Sequence, residues 1–215
     1  MKESVRKILE KTIVNHPMLE SCRPKIMQAF LLLQRCYSKG GKVLVCGNGG
    51  SAADSEHIVG ELMKGFLLKR KISSVNIERF KATFPDDWVY FSNNLQGALP
   101  AISLVSQISI STAFINDMSA DMVYAQQVYG YAKKEDVLIG ISTSGHSKNI
   151  VNAIKVAKAL GVGTIGLTGE SGGVMNEHCD VIITVPETET YRIQELHLPV
   201  YHTLCAMIEA DFFGE

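Results

Sequence analysis

The chain has 215 residues, of which 46% are hydrophobic, 20% charged and 7% aromatic, and 21 basic against 22 acidic side chains leave a formal net charge of −1. That length suits one domain, or one domain with an appendage, and is enough to bury a full core without disulfides or a structural metal. A general nucleic-acid binder would carry a basic excess, and a disordered chain far less apolar content, so both classes are excluded. The five cysteines (Cys22, Cys36, Cys46, Cys179, Cys205) are scattered and never spaced C-x-x-C. They predict a reduced cytosolic protein whose thiols are mostly buried. The N-terminal MKESVRKILEKTIVN has no apolar run of the signal-peptide kind. Trp88–Asn116 carries no charge, but its Ser, Asn and Gln residues and Pro100 argue against a membrane span. A cytoplasmic protein without nucleic-acid or membrane partners is the expectation.

In chain order, Val5, Ile8, Leu9, Thr12 and Ile13 follow helical spacing. A second helix is predicted from Pro24 through Ile26, Phe30, Leu31, Leu33 and Cys36, stopped by Gly40-Gly41, so residues 1–40 form N-terminal helices. The rhythm then changes. Short apolar runs at Lys42–Cys46, Ala101–Leu104, Val137–Ile141, Val162–Leu167 and Val181–Val185 are each followed by small polar residues and a helical pattern. Strand, Gly/Ser turn and helix, repeated, predict an α/β fold with a parallel sheet covered by helices on both faces. The helices are placed at about Ser51–Phe66, Ala120–Tyr131, Lys148–Leu160 and Thr190–Phe212, with a short one near Gly172–Glu177. Residues 67–96 fit this rhythm least and read as an insertion with some helix of its own, of the kind that serves as a lid or an interface arm.

In such sheets ligands sit beyond the carboxyl ends of the strands. Three turns there are rich in small donors: Gly47-Asn48-Gly49-Gly50-Ser51, Ser142-Thr143-Ser144-Gly145-His146-Ser147 and Thr168-Gly169-Glu170-Ser171-Gly172-Gly173. The second gathers four hydroxyls (Ser142, Thr143, Ser144, Ser147) at the start of a helix, which suits a phosphate; the plainer reading is a set of helix caps and turn formers. The first matches neither the Walker nor the dinucleotide fingerprint.

His57 and Glu61 are four apart, so an imidazole and a carboxylate share one helix face. They could be metal ligands, a base with its partner, or a solvated surface pair. The last helix holds Gln194, Glu195, His197 and His202, with Pro199 among them. Gln194 and His202 stand about 80° apart around a straight helix and ~12 Å along it, so Gln194 with His197 is the tighter pair by geometry. Periodicity does not choose between the two histidines, and a core or interface histidine is the plainer reading of either. Asn116-Asp117 reads first as a cap for the helix that follows it, and second as a contact to a sugar.

The segments KVLVCGNGGSAADSEHIVGEL, DVLIGISTSGHSKNIVNAIKVAKALG, TIGLTGESGG and RIQELHLPVYHTLCAMIE together resemble the sugar isomerase (SIS) domain family, most closely its phosphoheptose isomerases. The resemblance spans nearly the whole chain. It implies one SIS domain over 1–215, a doubly wound, three-layer, flavodoxin-like fold with a five-stranded parallel sheet, and a homotetramer with active sites at subunit interfaces. It implies an aldose–ketose isomerase acting on a phosphorylated sugar, sedoheptulose 7-phosphate, with Ser142, Thr143, Ser144 and Ser147 around the phosphate. The catalytic Glu falls on Glu61 and the catalytic His on His202. One zinc ion per subunit is implied, held by His57, Glu61, Gln194 and His202, while Asn48, Gly49, Ser51, Asp117 and Gln194 match positions lining the substrate. This sequence departs from the family at His146, where Asn is usual, at Tyr191, where Asp is usual, and in the length of the 67–96 insertion. The alternatives are an isomerase of another sugar phosphate and a non-catalytic scaffold of the replication-initiator-associating type; the latter lacks the catalytic Glu and His that Glu61 and His202 supply here.

Overall fold

The computed structural model describes residues 2–214. Helices α1 (Glu3–Asn15) and α2 (Arg23–Ser38), joined by a 3-10 turn at Pro17–Cys22, precede the sheet. Then follow β1 (Val43–Gly47), α3 (Gly50–Met63), α4 (Ser74–Thr83), α5 (Trp88–Asn94), β2 (Ala101–Ser103), α6 (Ile108–Asp117) and α7 (Val123–Tyr131). The chain ends with β3 (Val137–Ile141), α8 (Lys148–Ala159), β4 (Gly163–Thr168), β5 (Val181–Thr184) and α9 (Thr190–Phe213). All pairings are parallel and the strand order is β2-β1-β3-β4-β5, so β1 and β3 lie inside the sheet and the crevice between their carboxyl ends is the switch point of a doubly wound fold.

Alternation along the strands divides the core. Val43, Val45, Ile139 and Ile165 face a layer built from α1, α2, α3 and α9, with Leu9, Phe30, Ile58, Leu62 and Leu204 buried in it. Leu44, Cys46, Leu138 and Ile182 face the other side, against Val128, Ile150, Ile154 and Met175. Each inner strand is buried on both faces, which is why these segments read as continuous apolar runs. Four of the five cysteines are buried and all five are free thiols, and burial pushes the Cys36 and Cys205 thiols up to about 12.

The structure differs from the sequence expectations in four places. Helix α3 stops at Met63 rather than Phe66, because Arg70 Nη1 and Nη2 donate to the Leu62 and Glu61 carbonyls and Lys64 turns extended. The helix expected from Ala120 is a 3-10 turn at Ala120–Met122 followed by α7. Helix α6 occupies part of the uncharged stretch, where neither an amphipathic pattern nor a cap marked it, and it buries no residue. Asp117 therefore closes α6 instead of capping the next helix, and among the described residues it accepts a hydrogen bond only from its neighbour Asn116 (2.8 Å). The 67–96 region does form helices of its own, α4 and α5, which pack on each other and bury none of their residues. No helix among the described residues is long and apolar enough to cross a membrane.

Candidate active site

The first turn leaves β1 at Gly47, whose carbonyl accepts from the Tyr124 hydroxyl (2.9 Å), and passes through Gly49 at φ +57°, a conformation glycine adopts without strain. Asn48 and Asn149 then exchange two side-chain amide hydrogen bonds, each 2.9 Å, tying this turn to the first turn of α8. Ser51 is buried in the opening turn of α3. Gln194 of α9 lies directly over Gly50, where a side-chain Cβ would come within 2.6 Å of its Nε2, so the first turn and the start of α9 are in contact.

The second turn is held against the third. Gly169 N donates to the Thr143 carbonyl (2.9 Å) and Met175 N to the Gly145 carbonyl (3.1 Å). Gly145 has φ +68°, and a Cβ there would stand 2.6 Å from the Gly172 carbonyl carbon, so both backbone angle and space require glycine. Ser147 occupies the N-cap position of α8 but its hydroxyl does not cap the helix; it pairs with the Ser142 hydroxyl at 2.9 Å. A capping serine would have spent that oxygen on a backbone N–H. Ser144 is exposed and accepts from His146 N (3.2 Å), while His146 projects outward.

The titratable groups meet where α3 passes α9. His57 Nε2 stands 3.3 Å from Glu61 Oε1 and 3.3 Å from His202 Nε2, so two residues of one helix and one of the other converge on a common space. Glu61 is 14% exposed, and its Oε2 has no hydrogen-bond partner among the described residues, with Lys64 Nζ 3.5 Å away. Behind His57, the Tyr201 hydroxyl lies 3.0 Å from Nδ1 and donates to Asp54 Oδ1 at 3.2 Å. Burial lowers the His202 pKa, the neighbouring His57 lowers it further, and Glu61 pulls the other way. Burial raises the Asp54 carboxyl, with the Tyr201 hydroxyl and His57 opposing. Phe66 covers His202, the ring centroids 5.3 Å apart, and a cleft of about 540 Å³ between α1 and α9 opens onto His202 beside Thr12, His16 and Pro199. A second cavity, about 460 Å³, opens at the opposite, N-terminal ends of β3 and β4, where Arg35 and Lys158 lie in the last turns of α2 and α8.

The structure separates the two histidines of α9. His197 is fully buried, neither ring nitrogen has a hydrogen-bond partner of good geometry among the described residues, and burial lowers its pKa to about 4; the nearby Thr168 backbone, which favours the protonated ring, offsets little of that. His202 is the one that reaches His57. Pro199 lies inside α9 without ending it, and the Thr203 hydroxyl donates to the Pro199 carbonyl (2.6 Å). Among the described residues no three His, Cys, Asp or Glu side chains form a complete metal-binding group.

Four site residues escaped the sequence reading. Asp54 and Tyr201 were marked only by standing three before His57 and one before His202. Arg70 and Glu209 form a buried ion pair (Nε–Oε1 2.7 Å, side chains 0% and 1% exposed) whose carboxylate also accepts from the backbone N–H groups of Phe66, Leu67 and Leu68. An acid in the apolar stretch Cys205–Ala210 was the only trace of it.

Comparisons with known proteins show the family to which the chain belongs. The SIS domain model matches residues 5–79 and 94–169; residues 80–93, the end of α4 and most of α5, fall between the two stretches, and β5 and α9 come after them. A phosphoheptose isomerase of Aliarcobacter butzleri is 40% identical over 193 residues, covering 90% of this chain and 88% of its own. The solved phosphoheptose isomerase of Neisseria gonorrhoeae superposes with a TM-score of 0.70 at 32% identity, covering 96% of this chain and 91% of its own. That of Francisella tularensis gives 0.72 at 29% identity, covering 97% and 99%. The chain belongs to the SIS domain family and, within it, to the phosphoheptose isomerases.

Proposed function

We propose that the protein converts sedoheptulose 7-phosphate to D-glycero-D-manno-heptose 7-phosphate through an enediol, serving bacterial heptose biosynthesis from the cytoplasm. The observation that carries this reading is the convergence of Glu61, His57 and His202 across α3 and α9. Moving the carbonyl from C2 to C1 requires one proton to leave C1 and one to arrive at C2, with O2 gaining and O1 losing a proton. A carboxylate and an imidazole on facing helices suit the two transfers. Glu61 takes the C1 proton and returns it to C2, and His202, whose neutral form is favoured by burial, shuttles the proton between O1 and O2.

Ser142, Thr143, Ser144 and Ser147, at the start of α8, hold the phosphate with neutral donors and the helix terminus, which needs no basic excess in the chain. Binding energy gathered at that end orients the reacting carbons. Asn48, Gly49, Ser51, Asp117 and Gln194 line the sugar, with Gln194 held over the first turn.

Zinc is the metal this reading implies. Two donors at ~2.0–2.1 Å from a tetrahedral zinc stand roughly 3.3–3.4 Å apart, and the 3.3 Å separations of His57 Nε2 from Glu61 Oε1 and His202 Nε2 fit that spacing. His57, Glu61, His202 and Gln194 would hold the ion, which supplies Lewis acidity toward the carbonyl and enediolate oxygens. We further infer one SIS domain over 1–215 with an inserted arm at 67–96, assembled as a homotetramer whose active sites lie at subunit interfaces. The cleft opening onto His202 and the unburied α4, α5 and α6 are consistent with that assembly.

The test is an isomerase assay on sedoheptulose 7-phosphate, with and without a chelator, using wild type, Glu61→Gln and His202→Asn. The expected result is loss of ~10²–10⁴ in kcat for each variant. Full activity in both variants would refute the mechanism, and binding without turnover by the wild type would favour a scaffold.

A further inference from the structure

Two residues that the reaction does not use stand behind His57. Asp54 and His57 are one turn apart on α3, and Tyr201 precedes His202 on α9, so each helix sets a supporting residue beside a member of the cluster. The Tyr201 hydroxyl lies between Asp54 Oδ1 (3.2 Å) and His57 Nδ1 (3.0 Å). It has a single hydrogen to give. A carboxylate only accepts, so that hydrogen goes to Asp54, and the Tyr201 oxygen is left to accept from His57 Nδ1–H. The His57 proton is thereby fixed on Nδ1, and Nε2 presents a bare lone pair where Glu61 Oε1 and His202 Nε2 stand 3.3 Å away.

The opposite tautomer would place an N–H in that space and close it as a simple His–Glu hydrogen bond. Tyr201 is 2% exposed, and its ring meets His57 edge-on at 5.5 Å between centroids, so its hydroxyl cannot swing away into solvent. We propose that Tyr201 and Asp54 are positioning residues that hold His57 as the Nδ1–H tautomer, keeping its Nε2 lone pair turned toward Glu61 and His202. Supporting groups of this kind typically change metal affinity 10- to 100-fold when removed.

The proposal concerns the site assigned above, but its test needs neither substrate nor turnover. Ring-nitrogen NMR of the metal-free full chain at about pH 8, where imidazoles are neutral, reads the tautomer directly, with His57 assigned by its absence in His57→Gln. The wild type should show His57 as Nδ1–H. Tyr201→Phe keeps the ring and removes only the hydroxyl, and should give a mixture drifting to Nε2–H, the form histidine favours in water. Asp54→Ala frees the Tyr201 hydrogen to donate to Nδ1, and should drive His57 further to Nε2–H. The inverted preference distinguishes the relay from simple packing, which the two variants would disturb in the same way. Zinc affinity by competition with a chromophoric chelator should fall roughly 10- to 100-fold in Tyr201→Phe. An Nε2–H His57 in the wild type, or an unchanged tautomer in both folded variants, overturns the proposal. A wild type that held no zinc would overturn the metal reading alone, and the tautomer shifts would still decide for or against the relay.

Discussion

Glu209→Gln tests the anchor beneath the site. The Glu209 carboxylate accepts from Arg70 Nε (2.7 Å) and from the N–H groups of Phe66, Leu67 and Leu68 (2.7, 2.7 and 3.1 Å), and is 1% exposed. An amide in its place keeps one accepting oxygen, turns an NH2 toward backbone donors, and leaves the Arg70 guanidinium without its counter-charge. Stranding one partner of a buried pair costs about 3–5 kcal/mol, and an unsatisfied backbone N–H about 1–3 kcal/mol more. Arg70 retains its bonds to the Glu61 and Leu62 carbonyls, which keeps the expectation near ~4 kcal/mol in total. For a chain of this length that corresponds to a fall in Tm of roughly 8–16 °C. Urea unfolding followed by far-UV circular dichroism, at one protein concentration, should show a lower midpoint with an unchanged slope. Adding Arg70→Met to Glu209→Gln should recover part of the loss, because the stranded cation goes with it. A single variant within ~1 kcal/mol of wild type would show that the pair counts no more than an exposed bridge, and would refute the anchor.

Two further outcomes follow from the same geometry. Because burial depresses the His197 pKa from 6.5 to about 4, the folded state resists protonation. Stability is then complete above about pH 6.5 and is lost as pH falls toward 4, by up to roughly 3 kcal/mol; His197→Leu should flatten that slope in denaturant titrations run between those pH values. Ser147→Ala should raise KM for the sugar phosphate about 5- to 10-fold while moving stability by under ~0.5 kcal/mol, since its hydroxyl pairs with Ser142 and caps nothing; a stability loss near 1 kcal/mol with unchanged KM would return Ser147 to an ordinary cap.

The sheet was legible because its cause is local. Val137–Ile141 is a five-residue apolar run buried on both faces, and each such run is followed by turn residues, so strands and their carboxyl-end turns could be placed within a residue or two. Helix α6 was not legible, because its apolar residues Ile108, Ile110, Phe114 and Ile115 fall on both sides of the helix instead of one, and none of them is buried. The choice between His197 and His202 was closed to periodicity for a different reason. Both sit on one helix, and what distinguishes them is α3, which brings His57 against His202 from 145 residues away while His197 stays buried among apolar side chains. Contacts of that separation leave no trace in local pattern. The same holds for Arg70, which reads as one cation in a charged triplet until Glu209 is found beside it.

That pair also ties the segment leading into α4 and α5 to the site chemistry. Glu61 is in the last turn of α3, where frayed carbonyls would let the carboxylate drift from His57. Arg70 satisfies the Glu61 and Leu62 carbonyls, and Glu209 fixes Arg70 and the backbone of residues 66–68 to α9, the helix that carries His202. The two halves of the site are therefore clamped before the chain departs into α4 and α5. The family model matches through residue 79 and resumes at 94, so Arg70 lies within the matched stretch and residues 80–93 lie beyond it in the chain, while Glu209 comes from α9, after the match ends at 169. Helices α4 and α5 pack on each other and bury none of their own residues. Next to this region the contacts that hold Glu61 opposite His202 are therefore those of Arg70 and Glu209, not of α4 and α5.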